Sequence, residues 1–191
     1  MNNCRISEAD FFTNSAVDLA QKLLGKILVR KINGKITKFK IVETEAYIGA
    51  IDKACHAHPE NKSRWKAKSL YNRGGHAYIY LIYGMYYCFN ITSSIEGDPQ
   101  GVLIRAIEPL ENNKFHYHTN GPGKLCRALD IDINLNNADL ITSDLIYLED
   151  QPGVELEKIT ITKRINIDYA EEDKERLWRF YIKGNPFISK K

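Results

Sequence analysis

Close cysteine pairs are missing from this 191-residue chain: Cys4, Cys55, Cys88 and Cys126 lie far apart. That spacing excludes a disulfide-dense scaffold and a cysteine zinc site, so free thiols are expected. Histidine pairs occur at His56 and His58 and at His116 and His118, but no Cys or carboxylate stands at a ligand spacing from either. No metal or other cofactor is therefore expected. Long apolar runs are lacking too, since the most apolar stretch, AYIYLIYGMYYCFNI, is broken by Gly84 and dominated by tyrosine. It falls short of the roughly 20 apolar residues of a membrane span. The start, MNNCRISEADFF, does not have the basic, apolar, small-residue order of a secretory signal, and an intracellular protein is expected. Repeats and low-complexity segments are absent.

Acid is missing over one long interval. From Asn61 to Ile95 there is no Asp or Glu, while Lys62, Arg64, Lys66, Lys68 and Arg73 supply positive charge and six tyrosines fall between Tyr71 and Tyr87. Cations beside aromatic rings suit a nucleic-acid surface, where phosphates meet charge and bases meet rings. A solvated basic loop followed by a tyrosine-rich strand pair would produce the same pattern. The remaining composition, 43% apolar and 27% charged with a net charge of +3, is ordinary for one globular domain spanning 1–191.

Periodicity and turn residues predict the elements. Ala16, Val17, Ala20, Leu23 and Leu24 form a helical stripe that stops at Gly25, with Asn14 as a candidate cap. Asn33-Gly34 between two β-prone runs predicts a hairpin with a type I′ turn. DKACHAH reads as a short helix, and 59–75 as an irregular basic loop. Three strands are expected in HAYIYLIYGMYYCFNITSS and GVLIRAIEPL, then a short helix with Pro122 near its start. Later strands are expected at 145–148, 159–164 and 179–183, with a helical turn in EEDKERL. The fold class is α/β or α+β with mainly antiparallel pairing, because the connections are short.

Within the second strand of the hairpin, IVETEAY raises a question. Ile41, Glu43, Glu45 and Tyr47 share one face of an extended chain, and Val42, Thr44 and Ala46 share the other. The second is a core face; the first is either wet or lines a site.

The segments VETEAYIG, DKACH, YIYLIYGMYYCFNITS, VLIRAIEP, GPGKLC and RFYIKGNPFIS, in that order, resemble the alkyladenine (3-methyladenine) DNA glycosylase family over most of the chain. The resemblance implies a single compact domain with a curved, mainly antiparallel sheet and surrounding helices, related to the C-terminal domain of formyltransferases. It implies a monomer acting on duplex DNA that contains damaged purines. Glu45 would be the base that activates water, and Arg105 would help hold that water beside it. Tyr47, His56 and Tyr80 would wall the pocket for a flipped purine, and the His56 backbone N–H would bond the purine edge. Asn90 would crowd the guanine 2-amino group. Tyr83 would intercalate from a hairpin, with Met85 facing the minor groove. No lysine falls at a matched pocket position, so strand cleavage through a Schiff base is not expected. Glu43 has no catalytic role in this scheme. NKSRWKAKSLYNRGG departs from the family pattern, and Asn166 stands where a glycine is usual, near an Ile167 carbonyl that would help hold the water. A nucleic-acid-binding module without catalysis would need neither Glu45 nor Arg105, and a formyltransferase-like domain rests on fold kinship alone.

Overall fold

The centre of the molecule is one long strand. In the computed structural model, which describes residues 4–110 and 118–190, β2 runs over Lys35–Ile48 and is paired along both edges. One edge carries β5 (Gln100–Pro109). The other is shared end to end by β1 (Ile27–Ile32), opposite 35–40, and β8 (Arg179–Ile182), opposite 43–45. The hairpin between β1 and β2 turns at Asn33 and Gly34, both at positive φ as a type I′ turn requires. Beyond β5 come β4 (Tyr86–Ser93) and then β3 (Ala77–Ile82); β6 (Ile146–Glu149) flanks β1, and β7 (Ile159–Thr162) flanks β8. Every pairing among these eight strands is antiparallel, and the sheet curls on itself in a single compact α+β domain.

Helix α1 (Ala16–Leu23) covers one face of this sheet, burying Ala16, Leu19, Ala20 and Leu23. Its cap is Ser15, whose hydroxyl accepts from the Asp18 N–H, rather than Asn14, whose amide donates to the Asp10 and Phe11 carbonyls. Helix α2 (Pro122–Ala128) packs Leu125 and Cys126 into the same core. Residues 41–46 of β2 are consequently buried on both faces. Thr44 belongs to the α1 side, where its hydroxyl donates to the Ala20 carbonyl. The glutamate face is covered too, by the C-terminal segment and the turn after β7.

Several expectations change. DKACHAH forms turns instead of a helix, because the Asp52 carboxylate accepts from the Ile48 and Ala54 N–H groups and holds the chain in a local turn. Within the basic loop, Arg64–Tyr71 winds as a 3-10 helix. β7 ends at Thr162, two residues earlier than expected, since Arg164 turns inward. The helical turn of EEDKERL starts earlier, over Asp168–Glu175, and is broken at Glu171 by a positive φ. All four cysteines are unpaired. His116 lies outside the described residues, among which there is no group of three or more His, Cys, Asp or Glu side chains able to hold a metal. No helix among them is long and apolar enough to cross a membrane.

Candidate active site

Register places the two central groups together. Ile41 pairs with Ile107 and Thr44 with Ile104, and between them the β2–β5 ladder is irregular at Glu43. Glu43 pairs with Ala106, so Arg105 is the extra β5 residue at this irregularity, and its side chain reaches both glutamates. Its Nη1 donates to Glu45 Oε2 at 3.2 Å, and its Nε lies 3.4 Å from Glu43 Oε1. Both carboxylates are fully buried.

Each is held by its own set of donors. Glu45 Oε2 also accepts from the Tyr47 hydroxyl at 2.8 Å, and Oε1 accepts from the Ile165 N–H at 2.8 Å. A carboxylate offers about four acceptor places, so three are taken and one remains. Glu43 accepts from Arg179 Nε at 2.7 Å, from the Ser189 hydroxyl at 2.9 Å and from the Ser189 N–H at 2.5 Å. It thus anchors the C-terminal segment and steadies Arg105 from behind. Removing an arginine from water is costly, and burial acts to lower the Arg105 pKa, but Glu45, Tyr47 and Glu43 raise it above its ordinary value.

A cleft of about 940 Å³ opens over this pair. Tyr47, His56, Tyr80, Asn90, Arg105 and Tyr83 all line it, while Glu45 lies behind Tyr47 and Arg105 and Met85 stands outside it on the hairpin. The His56 and Tyr80 rings meet edge to face with centroids 4.5 Å apart. Asn90 is pinned by its amide, which donates to the Tyr78 carbonyl at 3.0 Å. Burial, then the charge on Lys66, pulls His56 down to about 4, so its ring is neutral at pH 7 and does not repel a cationic ligand. Unfolded histidine takes a proton below about 6.5, and folded His56 only near 4. Stability is therefore expected to fall as pH drops through that window. A His56→Gln variant should show a shallower decline in denaturant titrations at pH 7, 6 and 5; an unchanged decline would mean that His56 is not held neutral.

The wedge candidate sits where geometry strains it. Tyr83 and Gly84 form the tip of the β3–β4 hairpin, closed by the Met85 N–H donating to the Ile82 carbonyl, and both have positive φ. Glycine adopts that conformation without penalty; a bulky tyrosine loses roughly 1 kcal/mol there. Its ring is nonetheless 75% exposed and Met85 is 66% exposed, which fits a side chain retained for contact with something outside the fold. Tyr83→Gly is expected to leave thermal stability unchanged or higher while weakening capture of lesion-bearing duplex; undiminished capture in a binding titration would rule out the wedge.

Four participants were not foreseen. Arg164 forks onto Asp52 at 2.6 and 2.8 Å, donates to the Ala46 carbonyl at 2.9 Å, and lays its guanidinium 4.8 Å from the Tyr47 ring centroid. The next residue is Ile165, whose N–H binds Glu45, so one buried ion pair sets both a pocket wall and a carboxylate donor. Asn166 follows at φ +59, a left-handed conformation that asparagine tolerates where glycine is usual. Tyr78 binds His56 Nδ1 through its hydroxyl at 2.6 Å. Lys66 reaches the cleft from the 3-10 segment and donates to the Leu81 carbonyl at 2.9 Å. Lys66 and Tyr78 belong to the acid-free, tyrosine-rich interval read from the sequence, whereas nothing in the sequence pointed to Arg164 or the Ile165 N–H.

Comparisons with known proteins identify the family of the chain. The family model described as methylpurine-DNA glycosylase matches residues 10–186. A protein of Clostridium tetani, provisionally named 3-methyladenine DNA glycosylase, is 50% identical over 95% of this chain and 97% of its own length. Relatives carrying the same provisional name in Natranaerobius thermophilus and Clostridium perfringens are 46% and 47% identical, over 94% and 95% of this chain and 96% and 98% of theirs.

Proposed function

Since the chain belongs to the methylpurine-DNA glycosylase family, hydrolases of N-glycosidic bonds, we propose that it excises alkylated or deaminated purines from duplex DNA as a monofunctional enzyme. The substrates in this reading are 3-methyladenine, 7-methylguanine, hypoxanthine and ethenoadenine. The observation that carries it is the buried Glu45–Arg105 pair beneath an aromatic-walled cleft. A binding module has no use for a desolvated carboxylate paired with an arginine directly behind the pocket wall.

The steps follow from the side chains. A purine inside a duplex is out of reach, so its nucleotide swings out while Tyr83 fills the gap. The base enters between Tyr47 and the His56–Tyr80 pair; Tyr47 already has Arg164 on one side, leaving a ring face for stacking. The Asn90 amide, held by the Tyr78 carbonyl, crowds the position of a guanine 2-amino group and rejects the normal base. The His56 backbone N–H favours hypoxanthine, whose O6 accepts, over adenine, whose amino group donates.

Bond breaking leaves positive charge on the sugar, and the Glu45 carboxylate beside it stabilises that charge. Water adds its oxygen to C1′ and gives a proton to Glu45, while the C1′–N bond electrons leave with the base. Because Glu45 is fully buried, the Tyr47 hydroxyl cedes its place on Oε2 as water arrives, and Arg105 orients that water. A 3- or 7-methylated purine carries positive charge and leaves as a neutral base; hypoxanthine needs a proton at N7. Lys53, Lys62, Lys66 and Lys124 line the cleft; Lys53 is engaged by Glu171 and Glu172, Lys66 by the Leu81 carbonyl and Lys124 by the Asn120 side chain, and trapping with borohydride distinguishes a water nucleophile from an amine.

Duplexes containing one hypoxanthine or one 3-methyladenine analogue, incubated with the protein, should break only after alkali treatment. Borohydride should trap no protein–DNA adduct. Absence of breaks with every lesion would sink the enzyme reading, and a trapped adduct would sink the monofunctional one.

A further inference from the structure

Beside the cleft over Glu45 lies a second one of about 1080 Å³, and the two share Lys66, Tyr80 and Tyr83 in their walls. The second is bounded by the 3-10 segment 64–71, the outer edge of β3 and the turn at 133–137. Much of that strand edge is already satisfied. Asn137 N–H donates to the Ala77 carbonyl, Ile79 N–H donates to the Asn136 side chain, and Lys66 donates to the Leu81 carbonyl. An added β-strand therefore finds many of its bonding groups taken.

Side-chain chemistry is what remains on offer. Trp65 is 77% exposed, Lys68 is exposed, and Lys66 lies 5.4 Å from the Trp65 ring centroid. Arg73 adds a third cation to the lining, although it is paired with Asp139, and Glu96 is the lining's one carboxylate. An exposed indole beside ammonium groups matches a nucleic-acid strand, with a base on the ring and a phosphate at the charge.

We propose that this second cleft holds the complementary strand opposite the lesion, with the base orphaned by flipping against Trp65 and its phosphate at Lys68. The inference rests on the DNA-repair reading of the adjoining site. Tyr83 stands on the lip common to both clefts, so a duplex opened by it presents one strand to each. The flipped nucleotide goes to the Glu45 side. Its former partner keeps an exposed apolar face that a neighbouring ring can cover.

The test compares wild type with a Trp65→Ala, Lys68→Ala double variant. Both changed side chains are exposed, which keeps the fold out of the comparison. Each protein is titrated with a duplex bearing a reduced abasic site, and with the lesion strand alone, over a range of salt. Loss of one stacked base and one phosphate contact should weaken duplex binding about tenfold and flatten the log–log salt slope by about 0.9, with single-strand binding within about twofold. Trp65→Tyr, with Lys68 intact, should bind duplex close to wild type because it keeps an aromatic face. Equal losses on duplex and single strand, or no loss on duplex, would overturn the proposal. Binding is read independently of excision, so a protein that cuts no lesion yet shows this duplex-only loss would end the glycosylase reading and leave the cleft standing.

Discussion

Glu45→Gln is expected to lower single-turnover excision by about a thousandfold while lesion binding stays near wild type. Proton transfer by a placed side chain contributes typically about 10²–10⁴-fold, and the carboxylate also stabilises the developing sugar cation. Glutamine matches the shape but has one acceptor oxygen instead of two. With that oxygen toward Arg105 and Tyr47, its amide N–H faces the Ile165 N–H, which then loses its acceptor. The variant should therefore also lose about 1–3 kcal/mol of stability, the cost of an unmet buried donor, so melting must accompany the assay. Retained excision would remove Glu45 from the chemistry. Lost binding in a folded variant would make it a pocket-building residue instead.

The second large effect concerns stability and comes from Asp52. Breaking its pair with Arg164 leaves a buried guanidinium with only the Ala46 and Asp173 carbonyls as acceptors and no carboxylate, since both side chains of the pair are fully buried. Removing one partner of such a pair costs about 3–5 kcal/mol. In a chain of this size Asp52→Ala should lower Tm by about 10 °C or more. Adding Arg164→Met should recover much of that loss, because no charge is then left buried. Excision should nevertheless stay low in the double variant: the guanidinium against Tyr47 is gone, and the turn that presents the Ile165 N–H to Glu45 has lost its anchor. Additive stability losses would show that the pair is not coupled. Full activity in the double variant would show that Arg164 does not position Tyr47.

The sequence carried the local information reliably wherever one or two residues decide a conformation. Asn33-Gly34 marked its turn, Gly25 marked a helix end, and alternation in 41–48 identified the faces of β2. Family motifs named seven of the residues that meet around one cleft, Glu45 behind it included, and Met85 on the hairpin beside it. Where a side chain reaches across the fold to seize the backbone, the sequence was silent. DKACHAH has a plausible helical composition, but Asp52 is held by Arg164 from 112 residues away, and that pairing replaces the helix with turns. Arg164 in turn leaves the strand that its neighbours would continue.

The paired glutamates of IVETEAY show the division most clearly. By itself the sequence determined that Glu43, Glu45 and Tyr47 project from one face of a strand, because the period of an extended chain is two. Only the tertiary structure decided that this face is dry, that Arg105 lies between the two carboxylates, and that Glu43 belongs to Arg179 and Ser189 while Glu45 belongs to Tyr47 and Ile165. The reason is physical: alternation is set by neighbouring peptide units, whereas burial and donor partners are set by segments up to 146 residues distant along the chain.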